Sequence, residues 1–278
     1  MAESKRVGRR TVSFPRAPRI IAGAAIVGPK EGEGPLSQYF DRVLEDDLLG
    51  EKSWELAESK MVEDTVTLAL QKASMQPAAI QAMLAGDLND QIIASSFAAR
   101  TLGMPFIGLY GACSTMSESL MLGAMLVDGG YCDPVLCVAS SHFSTAERQF
   151  RAPLELGNQR TPTAQWTVTG AGASILSLHG AGPKIAMATP GKVVDLGISD
   201  TTHMGAAMAP AACDTLLAHF NDTGRRPADY DLIVTGDLGH IGRAILLELL
   251  AKAGVKMEGE VLMDCGDSMF SPQQPDKL

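Results

Sequence analysis

The sequence predicts an α/β protein built from two copies of one unit. Short apolar strands alternate with longer segments of helical period, which is the pattern of β/α connections rather than of an all-β or all-α chain. A shift of 150 residues lays Asp64-Thr65 on Asp214-Thr215, Pro77-Ala78 on Pro227-Ala228, and Gly86-Asp87-Leu88 on Gly236-Asp237-Leu238, without a gap. The 278 residues are 46% hydrophobic and 20% charged, enough to bury a large core or two intimate ones.

The elements follow in order. Lys5, Arg6, Arg9 and Arg10 precede an apolar run at 20–27. That combination superficially looks like a twin-arginine export signal, but Pro15, Arg16, Pro18 and Arg19 interrupt it, and it reads better as a first strand behind a basic, poorly ordered arm. Residues 28–35, rich in Gly and Pro, read as a loop. A helix is expected over 51–73, with Ser53 as its cap, then a strand at 83–85 ending at Gly86-Asp87, then a helix over 91–102. Pro105-Phe106-Ile107-Gly108-Leu109 is a short strand leading into Gly111-Ala112-Cys113-Ser114-Thr115, and a helix follows as far as Gly129-Gly130. Strands are expected at 134–139 and from 168 toward 178.

In the second copy, 184–188 mirrors the first strand, 241–253 mirrors the helix at 91–102, and 261–263 mirrors the strand before Cys113. The counterparts of the 134–139 and 168–178 strands are not reached before Leu278. The expectation is therefore a first half over 1–182 carrying Cys113 and a second half over 183–278, C-terminally incomplete, with an unpaired sheet edge or as a fragment.

Several function classes are excluded. The net charge of −9 argues against general nucleic-acid binding. Five scattered cysteines form no CxxC or Cys/His cluster, so no metal centre is expected and a reducing compartment fits. No apolar run reaches the ~18–20 residues a membrane span needs, so a soluble chain without signal peptide or transmembrane helix is expected. Thr167 to Ala173 is not a dinucleotide fingerprint, because it lacks the third glycine and a following helix, and no cofactor is expected.

Cys113 is the leading chemical candidate. A strand-to-helix turn places it at a helix N-terminus, where N–H groups and the dipole favour a thiolate or a bound carboxylate. It reads as a nucleophile, as part of an anion site, or as a small inert cysteine beside a tight turn. His142 follows the strand at 134–139, with Arg148 and Arg151 close behind it. Lys192 lies in the first loop of the second copy. His240 can be read as a base for Cys113 or as a helix cap.

A cysteine at such an elbow in a duplicated α/β unit resembles the thiolase and ketoacyl-synthase superfamily. The set Gly28-Pro29-Lys30-Glu31, Lys52-Ser53-Trp54-Glu55, Ala85-Gly86-Asp87-Leu88, Gly111-Ala112-Cys113-Ser114-Thr115, Ser140-Ser141-His142, Thr145-Ala146-Glu147-Arg148-Gln149-Phe150-Arg151, Asp195-Leu196-Gly197-Ile198 and Ala207-Met208-Ala209-Pro210 is similar to the stage V sporulation protein AD family. The resemblance implies a thiolase-like fold of α/β/α/β/α layers that binds dipicolinic acid, pyridine-2,6-dicarboxylate, as the acid or its calcium chelate. It implies work with membrane SpoVA proteins in spore uptake, a homodimer, and a place in the cytoplasm or at the inner spore membrane. The ligand-binding residues expected are Cys113, Ser114, Thr115, His142, Arg148, Arg151 and Lys192, with Cys113 a vestigial nucleophile position. Condensing enzymes carry a catalytic histidine where this chain has Gly236-Asp237, so a binding protein is expected; the alternative is an acyltransferase using Cys113.

Overall fold

The computed structural model describes residues 4–150, 163–200, 202–257, 261–271, 273 and 274. By contacts the chain divides into two units, one within 14–157 and 167–186 and one comprising 1–13, 158–166 and 187–278. The sequence reading placed the division at 182/183. The contacts place it at 186/187 and assign the N-terminal arm to the second unit.

The first strand, β1 (Val12–Ser13), belongs to that arm. The larger unit then runs β2 (Arg19–Val27), α1 (Pro29–Gly32), β3 (Arg42–Val43), α2 (Trp54–Lys72), β4 (Ala82–Asp87), α3 (Ile93–Leu102), β5 (Phe106–Gly108), α4 (Thr115–Gly129), β6 (Val135–Ser141), α5 (Phe143–Phe150) and β7 (Gly170–Ser177). Its six strands lie in the order β3-β2-β7-β6-β4-β5. β4 is parallel to β5 and β6, while β7 is antiparallel to both β2 and β6.

Period-two alternation sorts β6 between two helical layers. Leu136 and Val138 join Met61, Val62 and Val66 of α2 in one core. Val135 and Cys137 point the other way, onto α4 at Gly123. A Cβ on Gly123 would stand 2.9 Å from Cys137 Sγ and 2.9 Å from Leu176 Cδ1, so glycine lets the helix lie close to the sheet. Ser53 caps α2 as the sequence predicts, its hydroxyl accepting from the Leu56 N–H at 3.3 Å. The expected loop at 28–35 contains a turn of helix instead. Pro29 opens α1 without losing a needed N–H, and Lys30 and Glu31 are drawn into the interior.

The second unit continues with β8 (Met187–Ala188), α6 (Met204–Thr223), β9 (Ile233–Thr235), α7 (Gly239–Lys252), β10 (Leu262–Asp264) and α8 (Cys265–Met269). The strand expected over 184–188 shrinks to Met187 and Ala188, which pair antiparallel with Val12 and Ser13. Nor is the basic arm loose. The Arg9, Arg10 and Thr11 N–H groups donate to the Asp222 carboxylate at 2.9, 2.8 and 2.7 Å. The Arg10 guanidinium donates to the Pro190 carbonyl and to Asp214.

The duplication is visible in each unit's own layout. Single 3-10 turns occupy Pro77–Ala79 and Pro227–Asp229, again 150 residues apart. Met83 pairs in parallel with Phe106 of β5, and Ile233 pairs in parallel with Leu262 of β10. One detail differs. Gly86 is required because a Cβ there would strike the Leu109 carbonyl, whereas a Cβ on Gly236 meets nothing within 4 Å.

Candidate functional site

The turn after β5 forms because Gly111 and Ala112 let the chain reverse. Ala112 takes a left-handed conformation, φ +43°, and its N–H is held by the Asp90 carboxylate at 2.8 Å. Asp90 and Ile92, in the connection from β4 to α3, are also left-handed, at φ +55° and +49°. Such positions cost about 1–3 kcal/mol each outside glycine and persist only where surrounding structure fixes them. Cys113 stands exposed in the 3-10 turn Ala112–Ser114. The Ser114 hydroxyl donates back to the Gly111 carbonyl at 2.7 Å, so α4 begins with no side-chain cap on its first-turn N–H groups. Thr115, the first residue of the helix, is buried, and its Oγ1 has no hydrogen-bond partner.

His142 is placed differently from an anion-binding cation. It is 1% exposed. Its Nδ1 accepts the Ser144 N–H at 3.2 Å, which puts the proton on Nε2 for donation to the Asp47 carbonyl at 2.8 Å. Burial lowers its pKa, so the ring is neutral and both nitrogens are spent on backbone. Arg148 pairs with Glu55 and lies over the Trp54 ring, 5.7 Å from its centroid. Arg151 lies outside the described residues. Lys192 belongs to the second unit and pairs with Asp214 at 3.0 Å. His240, also in that unit, is exposed and faces Asp267 at 3.5 Å.

The structure thus brings Cys113, Ser114 and Thr115 together at one helix start and ties Arg148 and Lys192 to acids. It also reveals a cavity of about 250 Å³ among α2, β4, α3 and α5 that sequence reasoning missed. Glu55, Glu58 and Asp87 line it, with Arg148. Glu58 accepts from the Ser140 hydroxyl at 2.7 Å, and burial holds its carboxyl up at about 7. Burial likewise raises Asp87, against the N–H donors of the following turn, including Gln91 at 3.1 Å. The available signal was position. Glu58 falls on the same helical face as Met61, Val62 and Thr65, all buried.

Comparison with known proteins now settles the family. The model of stage V sporulation protein AD (SpoVAD) matches residues 8–277. The chain belongs to this family. It is 43% identical over 270 residues to stage V sporulation protein AD of Bacillus subtilis (strain 168), covering 97% of this chain and 80% of that protein. Among solved structures, a single-substitution variant of Xanthomonas campestris OleA bound with cerulenin is similar with a TM-score of 0.64 at 14% identity, over 92% of this chain and 84% of that one. The 3-oxoacyl-(acyl carrier protein) synthase III FabH of Xanthomonas oryzae pv. oryzae is similar with a TM-score of 0.60 at 16% identity, over 91% and 85%. The fold is thiolase-like, and the family is one of sporulation proteins. No helix among the described residues is long and apolar enough to cross a membrane.

Proposed function

We propose that the chain binds dipicolinic acid in sporulation and does not transform it. Membership of the SpoVAD family over residues 8–277 is the observation that carries this reading. The chemistry of the Cys113 turn supports it. A flat dianion needs N–H donors or cations at its carboxylates, and α4 begins without a side-chain cap beside the exposed Cys113, the Ser114 and Thr115 N–H groups being bonded to the Gly111 and Ala112 carbonyls. Arg148 is held by Glu55 and Lys192 by Asp214, so neither cation is counted toward the ligand. The proposal that the ligand is not transformed is supported by His142. A general base needs an open ring nitrogen, and both of its nitrogens hold backbone groups. Delivery of the acid, free or with calcium, through membrane SpoVA partners and as a homodimer belongs to the same proposal.

An acyltransferase is the second reading, favoured by one observation: Cys113 is exposed on a strained turn in a fold shared with condensing enzymes. Calorimetric titration with dipicolinate tests the first reading, with saturable binding expected and its absence fatal to it. Incubation with an acyl-CoA followed by intact mass measurement tests the second. An adduct that turns over, and is lost in Cys113→Ala, would establish the enzyme.

A further inference from the structure

We propose that the cavity among α2, β4, α3 and α5 is a binding site for a small primary ammonium group. This goes beyond dipicolinate, whose charge is opposite and whose proposed site is the start of α4.

The argument rests on which hydrogen-bonding valences the cavity leaves open. Two of its side-chain amides bond within its own wall. Gln91 Nε2 donates to Gln149 Oε1 at 2.9 Å, and Gln149 Nε2 donates to the Asn89 carbonyl at 3.2 Å. The Arg148 guanidinium is paired with Glu55. The buried atoms of the lining that have no partner are acceptors. Asp87 is 4% exposed, and its Oδ1 accepts from the backbone while Oδ2 is buried with no partner. Asn89 Oδ1, on the same wall, is buried and equally without a partner. Glu55 and Glu58 add their carboxyl groups to the lining.

A buried carboxylate oxygen with no donor is among the more costly features a fold can carry, and it marks a place where a donor belongs. A dianion would meet acceptors and negative charge there. A divalent metal does not fit either, because the described residues hold no group of three or more His, Cys, Asp or Glu able to ligate one. A primary ammonium supplies three N–H donors and one positive charge, which matches Asp87 Oδ2, Asn89 Oδ1 and the neighbouring Glu58. About 250 Å³ accommodates such a group with a short alkyl stem against Ile93 and Ala94.

Calorimetric titration of the whole chain with methylammonium and with 1,3-diaminopropane tests this, at constant ionic strength and with tetramethylammonium as the comparison. Saturable binding is expected for the two primary amines, with tetramethylammonium at least ~10-fold weaker because it carries the charge but no donor. Asp87→Asn is expected to weaken the amines by ~10-fold or more while leaving dipicolinate binding unchanged. Asn89→Ala removes the second acceptor without touching a carboxylate and is expected to weaken them by several-fold, which keeps the test valid should Asp87→Asn fail to fold. Equal binding of tetramethylammonium, no saturable amine binding, or unaltered amine affinity in Asn89→Ala would each overturn the proposal. The amine measurements stand whether or not dipicolinate binds.

Discussion

Removing the charge of Glu58 should change how stability depends on pH. Glu58 is 5% exposed, and burial holds its carboxyl up at about 7 against an ordinary 4.5. A carboxyl raised in the folded state binds a proton there that the unfolded chain has already released. Its favourable contribution is therefore complete below about pH 4.5 and is lost as pH rises through about 7. At 1.36 kcal/mol per pKa unit the full difference is about 3 kcal/mol. Glu58→Gln keeps an oxygen for the Ser140 hydroxyl and has no charge to bury. The variant should match the parent near pH 4.5 and exceed it by up to about 3 kcal/mol at pH 8. With a urea slope of about 2 kcal/mol/M, that is a midpoint shift of about 1.5 M. Trp54 opens the helix that carries Glu58, so its fluorescence in a Trp166→Phe background reports the unit concerned. The neighbouring charges are Asp87 on β4, Glu55 on α2 and Arg148 on α5; the repulsion of Glu58 by Asp87 and Glu55 is relieved in the variant and adds to the difference at high pH. A difference between the two proteins that does not vary with pH, or a less stable variant at pH 8, would refute the reasoning.

Two further outcomes follow from packing and from the arm. Gly123→Val drives a branched side chain onto Cys137 Sγ and Leu176 Cδ1, where even a Cβ lies 2.9 Å away, and should lower stability by about 2 kcal/mol in urea titrations; an unchanged midpoint would contradict the close approach of α4 to the sheet. Asp222→Ala removes the acceptor of three consecutive backbone N–H groups, so limited trypsin digestion should cut after Arg9 or Arg10 sooner than in the parent, and equal rates would show that the arm is held by other contacts.

Much of the fold was legible because local rules agreed with tertiary need. Ser53 capped α2, Gly130 closed α4 in a left-handed conformation, and the repeat at 150 residues reappeared in paired strands and 3-10 turns. Where it was not legible, long-range partners decided. The arm is ordered by Asp222, some 210 residues away, which composition cannot show. The turn of helix at Pro29–Gly32 exists around Glu31, which is 1% exposed and accepts from the Thr169 N–H at 2.9 Å.

The candidate site divides the same way. Gly-Ala-Cys-Ser-Thr announces a tight turn into a helix, so Cys113 was readable. A buried carboxylate on a helix looks like a solvated one until the face it occupies is known, which hid Glu58. Cations are harder still. Arg148 is neutralised by Glu55, 93 residues earlier, and Lys192 by Asp214, 22 residues later. Nothing local in either stretch signals the pairing.

The claim that dipicolinate rests on the start of α4 is tested most directly by the alkylation rate of Cys113. Cys113 is exposed, while Cys137 is fully buried with its thiol pushed up to about 12, so iodoacetamide should modify the first and spare the second. Peptide mass mapping in rising dipicolinate should then show Cys113 modification slowing along a saturable curve. A rate at Cys113 that stays constant across the whole titration would contradict the account.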